Sequence, residues 1–170
     1  MNKAPSNKKF IILTGKKGSG KTTLLLNLFG KRTDAAGVLT ITKEGKRVLY
    51  SLAGKMEHQF ETDSFFDGEI QKIGRFTFDS SAFRWAEGII ASSDFSTLKY
   101  IIIDEAGPLE LNRKGFYDLL LRIINAVKGA DVSLVIVVRE ECVDGIIELL
   151  ALKECAVMNK ENFETHVEWN

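Results

Sequence analysis

Two unbroken apolar runs, Phe10 to Leu13 and Tyr100 to Ile103, and a third from Val132 to Val138 interrupted only by Ser133, punctuate the chain. Short runs with no polar face fit strands buried on both sides, as in a parallel sheet. Between them the apolar period changes. Leu24, Leu25, Leu28 and Phe29 predict a helix that ends near Gly30, and Phe116, Leu119, Leu120, Ile123, Ile124 and Val127 recur at helical spacing up to a stop at Gly129. Asp79 or Ser80 caps a further predicted helix running to about Ser92, and another runs from about Glu141 to Leu152. From Gly37, the stretch VLTITKEGKRVLYSL sets Lys43-Glu44-Gly45-Lys46 between two partly alternating, β-branched segments, the signature of an antiparallel hairpin near residues 38–52. Residues 54–73 read as a long loop, Gly74 to Phe78 as a short strand, and the tail FETHVEW as a strand at the sheet edge. Strands alternating with amphipathic helices predict an α/β fold of three layers, a mostly parallel sheet covered on both faces.

Composition narrows the function classes. The 23 basic and 23 acidic residues cancel, so no broad positive field draws the chain onto nucleic acid or an anionic membrane, and any phosphate recognition must be local. At 170 residues, one core is expected: a flexible polar lead-in over 1–9, then a single domain over 10–170. Phe10 to Leu13 is far too short for an export signal or a membrane span, and Cys142 and Cys155 are too few for a disulfide framework or a zinc site. A cytoplasmic location is the simplest expectation.

The chemistry begins at Gly15-Lys16-Lys17-Gly18-Ser19-Gly20-Lys21-Thr22-Thr23, which meets the pattern G-x-x-x-x-G-K-[ST] between a predicted strand and a predicted helix. A glycine-rich turn there directs backbone N–H groups at phosphate oxygens, backed by the positive end of the helix dipole. In this arrangement Lys21 neutralises the β and γ phosphates, Thr22 offers a hydroxyl to Mg2+, and Lys16 and Lys17 stand at the rim. A glycine-rich turn that binds nothing is the plainer alternative, but the strand and helix flanking it argue for phosphate.

Tyr100-Ile101-Ile102-Ile103-Asp104-Glu105 has the form of the companion motif, a buried strand delivering carboxylates beside the phosphate loop. Asp104 is the second expected magnesium ligand. Glu105 is the expected base for the attacking water.

These landmarks resemble the cancer-related nucleoside-triphosphatase family, small P-loop enzymes also known from thermophiles. The loop GKKGSGKTT, the hairpin region, GRFTF and above all IIIDEAGPLEL look like that family's landmarks in their usual order, over roughly residues 10–150. The resemblance implies a RecA-like sheet and magnesium-dependent hydrolysis of nucleoside triphosphates to diphosphate and phosphate with loose base selectivity. It assigns phosphate binding to Gly15 through Thr23, the metal to Asp104 and water activation to Glu105. Where the family often has a branched apolar residue, glycine, lysine and methionine after the acidic pair, this chain has Ala106-Gly107-Pro108-Leu109.

Other residues carry weaker signals. Arg139, after the third apolar run, is placed either to reach a γ phosphate or as a surface arginine; Glu110 is expected to order the loop beside the acidic pair or to hydrogen-bond an arginine. Nothing aims Arg75, Arg84 or Arg113 at the site. Phe65, Phe66, Phe76 and Phe78 are expected in the core rather than on a base. His58 and His166 lack metal-binding neighbours, and both cysteines are expected to be inert. Two other functions share the loop. One is a nucleotide-dependent adapter with slow hydrolysis, binding a protein partner through residues 54–73. The other is a kinase acting on a small or polynucleotide acceptor, for which no arginine-rich lid segment is seen.

Overall fold

The computed structural model describes residues 8–63 and 65–168, so most of the expected lead-in over 1–9 lies outside the described residues. The first two apolar runs form β1 (Phe10–Leu13) and β8 (Tyr100–Ala106), and the third forms β9 (Ser133–Val138). With β2 (Ala35–Lys43), β3 (Lys46–Ser51), β4 (Glu57–Gln59) and β10 (Ala156–Met158) they make a seven-stranded sheet in the order β10-β1-β9-β8-β2-β3-β4. Pairing is parallel from β10 to β2 and antiparallel from β2 to β4.

Side-chain alternation sorts the buried residues into two layers. Ile12, Ile101, Ile103, Leu134 and Ile136 face α2 (Ser80–Ala91), α4 (Tyr117–Val127) and α5 (Val143–Leu149). Ile11, Leu13, Tyr100, Ile102, Val135 and Val137 face α1 (Lys21–Phe29) and α6 (Lys160–Glu168). Each such side chain, fully buried, stabilises the fold by about 1.5–3 kcal/mol before entropy is charged against it. The result is the expected three-layer α/β arrangement.

The long strand β2 links the two kinds of pairing. Its first half, Ala35 to Val38, pairs parallel with β8, and Val38 to Lys43 pairs with β3 in the predicted hairpin. Glu44 and Gly45 both take positive φ, 51° and 79°, as a tight two-residue hairpin turn requires. Gly37 is indispensable to the parallel half. Its φ is 132°, and a Cβ there would stand 2.0 Å from the Ile102 carbonyl oxygen.

Three expectations are corrected. The long loop over 54–73 contains β4, β5 (Glu61–Thr62) and β6 (Ile70–Ile73). The last two flank β7 (Phe76–Asp79) in a small antiparallel sheet, order β5-β7-β6. Phe60 anchors it, stacked on Phe78 at 4.5 Å and edge-on to Phe83 of α2 at 5.3 Å. Second, FETHVEW is helical through Glu168, with Trp169 outside the described residues, and the edge strand is β10 instead. Phe163 and Val167 are four apart, a spacing that serves both periods; here they pack on α1, with Phe163 at 6.2 Å from Phe29. Asn159 caps the turn by accepting from the Asn162 N–H. Third, Phe65 is 94% exposed rather than in the core, while Phe78 is buried as expected.

Candidate active site

The P-loop runs from β1 into α1, and its backbone bends inward through positive φ at Gly15, Gly18 and Gly20 (147°, 75° and 84°). Gly20 is the N-cap of α1 in the left-handed region, which presents the first helical N–H groups to the loop. Lys21 folds back over that loop, its ammonium donating to the carbonyls of Gly15 (2.7 Å) and Lys16 (2.9 Å) and to Ser19 Oγ (3.3 Å). From across the sheet edge, Lys160 at the start of α6 donates to the Ser19 carbonyl at 3.0 Å. The residues Gly15 to Thr23 line an open cleft of about 780 Å3, which Thr40, Thr42, Arg47, Asp104, Glu105 and Arg139 also line.

Thr22 and Asp104 meet at the cleft floor. The Thr22 hydroxyl donates to Asp104 Oδ2 at 2.7 Å, and the same oxygen accepts from the Thr40 backbone N–H at 3.1 Å. Asp104 is 3% exposed, and burial pushes its carboxyl up to about 6 although both hydrogen bonds and the Lys21 charge pull the other way. A hydroxyl and a buried carboxylate side by side are hard oxygen donors. They suit magnesium, which keeps several waters and needs only one or two protein ligands.

Glu105 owes its position to a local irregularity. Strict alternation would send it to the face opposite Asp104, among α2 and α4. Instead β8 shifts register against β9 between Ile103 and Ala106, and Glu105 takes φ of 71°, rare for a residue with a Cβ. Its carboxylate therefore reaches the cleft wall, where Oε1 accepts from Arg139 at 3.1 Å and lies 3.5 Å from the Arg47 guanidinium. Strained backbone of this kind accumulates at functional sites.

The segment after the acidic pair is braced by Glu110. Its carboxylate accepts from the Gly107 N–H at 2.7 Å and the Phe116 N–H at 2.9 Å, tying the single turn of α3 (Pro108–Leu111) to the start of α4. At 2% exposure, burial lifts its carboxyl to about 7 against those two bonds. This is the ordering role expected of it. A cavity of about 20 Å3 separates Glu110 and Glu105, bounded by Arg47, Arg139 and Phe116.

All the candidate residues read from the sequence thus meet around one cleft, and Arg139 joins them. Arg75 does not face the phosphate loop; it lies over Phe76 at 5.0 Å. Arg84 pairs with Glu69 and Arg113 lies over Tyr117, both away from the cleft lining. His58 stacks on Trp85, and burial raises both thiols, as inert cysteines require. Sequence reasoning missed Thr40, Arg47 and Lys160. Arg47 is the second residue of β3, so its position opposite the loop depends on how the hairpin leans, which no local pattern encodes.

Known proteins place this geometry. A model of the family described as NTPase matches residues 10–167. No curated protein sequence matches the chain. The solution structure of a human cancer-related nucleoside triphosphatase is similar in fold, with TM-score 0.67 and 18% identity over 94% of each chain. The crystal structure of THEP1 from the hyperthermophile Aquifex aeolicus has TM-score 0.70 and 25% identity over 94% of this chain and 95% of that one. Among the described residues, no helix is long and apolar enough to cross a membrane. Since the family match extends from the first strand of the sheet into its last helix, the chain belongs to the NTPase family and is a P-loop nucleoside triphosphatase.

Proposed function

We propose that the protein hydrolyses nucleoside 5'-triphosphates to diphosphate and phosphate with magnesium and with loose base selectivity, in the cytoplasm. The observation that carries this reading is the 2.7 Å contact between Thr22 and buried Asp104 directly below the phosphate loop, with Glu105 bent into the same cleft. Thr22 and Asp104 would hold magnesium, which when bound polarises the phosphoryl oxygens.

The chain's own groups supply the rest. Gly15 to Thr23 cradle the phosphates, and Lys21 exchanges its bonds to the Gly15 and Lys16 carbonyls for the β and γ oxygens, so the parked ammonium is already aimed. Glu105 takes a proton from water as its oxygen attacks the γ phosphorus and the bond to the β-bridging oxygen breaks, its electron pair leaving with the diphosphate. Among the described residues arginine engages Oε1 of Glu105, which leaves Oε2 for that proton. Arg139 orients the carboxylate. Loose base selectivity fits the cleft beyond the loop, where Leu26, Ile41, Thr42 and Val137 offer surface without a fixed pattern of donors.

A panel of nucleoside triphosphates assayed for phosphate release with magnesium or with chelator tests the reading. Release should require magnesium and vanish in Lys21→Ala, while Glu105→Gln retains nucleotide binding and loses turnover by about a hundredfold or more, the usual scale for a general base. Parental rates in Glu105→Gln would remove the base assignment, and full release in chelator would remove the metal.

A further inference from the structure

Arg47 carries a half-sheltered positive charge with hydrogen-bond donors to spare. Its side chain is 14% exposed and lies on the face of Phe76 at 4.3 Å, with Phe78 at 5.8 Å. Its backbone N–H is tied to Glu61 Oε2 at 3.2 Å, which fixes β3 against the small sheet at this point. Yet a guanidinium has five N–H donors, and among the described residues Arg47's has one ion pair, with Glu105 at 3.5 Å, and no side-chain hydrogen bond. Glu105 Oε1 is meanwhile bonded by Arg139 at 3.1 Å, so two guanidiniums share one carboxylate oxygen. Both arginines line the cleft that holds the phosphate loop. No Arg47 nitrogen is among the buried unpartnered atoms of the described residues, so its spare donors open onto the cleft, where an anion can take them.

Phe76 connects this charge to the loop. Lys17 lies over the same ring at 5.6 Å, so Phe76 carries both Arg47 and a lysine of the phosphate loop. Like charges held together this way gain from an anion of high charge density placed among them, and the γ phosphoryl of a nucleotide seated in the loop is such a group.

We propose that Arg47 is the arginine that grips the γ phosphate, an arginine finger supplied by the chain's own hairpin. The proposal rests on the hydrolase reading for its catalytic consequence but not for the binding it predicts. With nucleotide in place, Arg47 leaves Glu105 for the γ oxygens. There it opposes the negative charge that builds as the water oxygen bonds to phosphorus and the bridging oxygen departs with the electron pair. The same movement frees Glu105 from one of its two arginine contacts, so the carboxylate can turn toward the water as the substrate docks. Arg139 stays on Glu105.

The test compares binding of adenosine diphosphate with that of the β,γ-imido analogue of adenosine triphosphate, or the guanosine pair where the parental protein prefers it, by calorimetry with magnesium. The parental protein should favour the triphosphate analogue. Arg47→Ala should lose that preference by tenfold or more with diphosphate affinity unchanged, and its kcat should fall about a hundredfold or more with KM little altered, as for other phosphoryl-transfer arginines. Arg47→Lys keeps the charge and the stem, covers the case in which the alanine variant fails to fold, and should lose at least about threefold of the preference, because an ammonium cannot make the paired contact. An unchanged ratio in the folded variants, or equal weakening of both nucleotides as a merely structural arginine would give, overturns the assignment. So does a parental protein that does not distinguish the two. A parental protein that prefers the triphosphate but releases no phosphate instead refutes the hydrolase reading and leaves the Arg47 result standing.

Discussion

The two walls of the cleft are built on opposite principles. The floor and loop side rest on the parallel strands β1, β9, β8 and the first half of β2, where every strand position is buried or nearly so and Asp104 has two fixed donors. The facing wall rests on the β2–β3 hairpin and the small sheet, where Arg47 leans on a half-buried ring and its one ion pair is long. Close packing makes the first wall bistable at best, since a small shift there breaks contacts outright. The second wall has room to exchange partners. On the proposed mechanism, a site that holds a metal in place yet responds to the arrival of a γ phosphate is served by having one of each.

The largest effect should come from breaking the rigid wall. Gly37→Ala places a Cβ 2.0 Å from the Ile102 carbonyl oxygen and 2.7 Å from its nitrogen, in the pairing that joins β2 to β8, and it does so at a φ that L residues rarely adopt. Neither backbone can retreat without losing the ladder. A loss above about 4 kcal/mol is expected, a large part of a small domain's stability, so the variant should be unfolded or nearly so by circular dichroism at 25 °C. A cooperative urea transition within about 1 kcal/mol of the parent's would show that the parallel wall is softer than its packing implies.

The difference between the walls also decided what the sequence made legible. Parallel strands are apolar on both sides, so Phe10 to Leu13 and Tyr100 to Ile103 announced themselves, and the loop between strand and helix came with its glycines. The first half of β2 did not, because Ala35-Ala36-Gly37 has no β-branched residue; the close approach of Ile102 demands small ones. Across the cleft, β4, β5 and β6 are two to four residues long and take their order from pairing partners distant in sequence, which periodicity cannot register. Asp104 and Glu105 were legible as a pair. The bulge that separates their environments was not, because the reason for it lies in the register against β9 and in the two arginines that receive Glu105.

A middle-sized effect should come from the buried brace between the walls. Glu110 is more readily protonated in the folded chain than in the unfolded one, its carboxyl moving from 4.5 to about 7. The native state therefore holds the extra proton between those values, and stability falls as pH rises from about 4.5 to about 7, then levels off. Asp104, raised to about 6, adds a slope of the same sign at lower pH. Glu110→Gln removes the larger part of this slope. It also leaves an amide NH2 facing one of the two backbone N–H donors that the carboxylate served, at a cost of about 1–3 kcal/mol. The variant should thus be clearly less stable than the parent at pH 5 and should close on it by pH 8. Urea titrations at the two pH values check this; a gap that stays constant would mean that Glu110 is not the titrating group.

The smallest effect in stability, and the sharpest for the comparison, should come from Phe76→Leu. The ring is half-buried, so its loss removes little packing, and each cation over it contributes on the order of 0.5–1 kcal/mol at an exposed site. The melting temperature should move by only a few degrees. Leucine fills similar space but has no negative face, so Arg47 would keep its stem contact and lose what fixes the guanidinium's direction. If the hairpin wall works through placement of that charge, kcat should drop by roughly three- to tenfold, the cost of a misplaced rather than an absent group, while nucleotide diphosphate affinity stays at the parental value. If turnover is unchanged, the ring is packing alone, and the hairpin wall takes its geometry from the Glu61 bond to the Arg47 backbone. If turnover and diphosphate affinity fall together, Lys17 rather than Arg47 is the cation that Phe76 positions, because Lys17 stands on the phosphate loop itself.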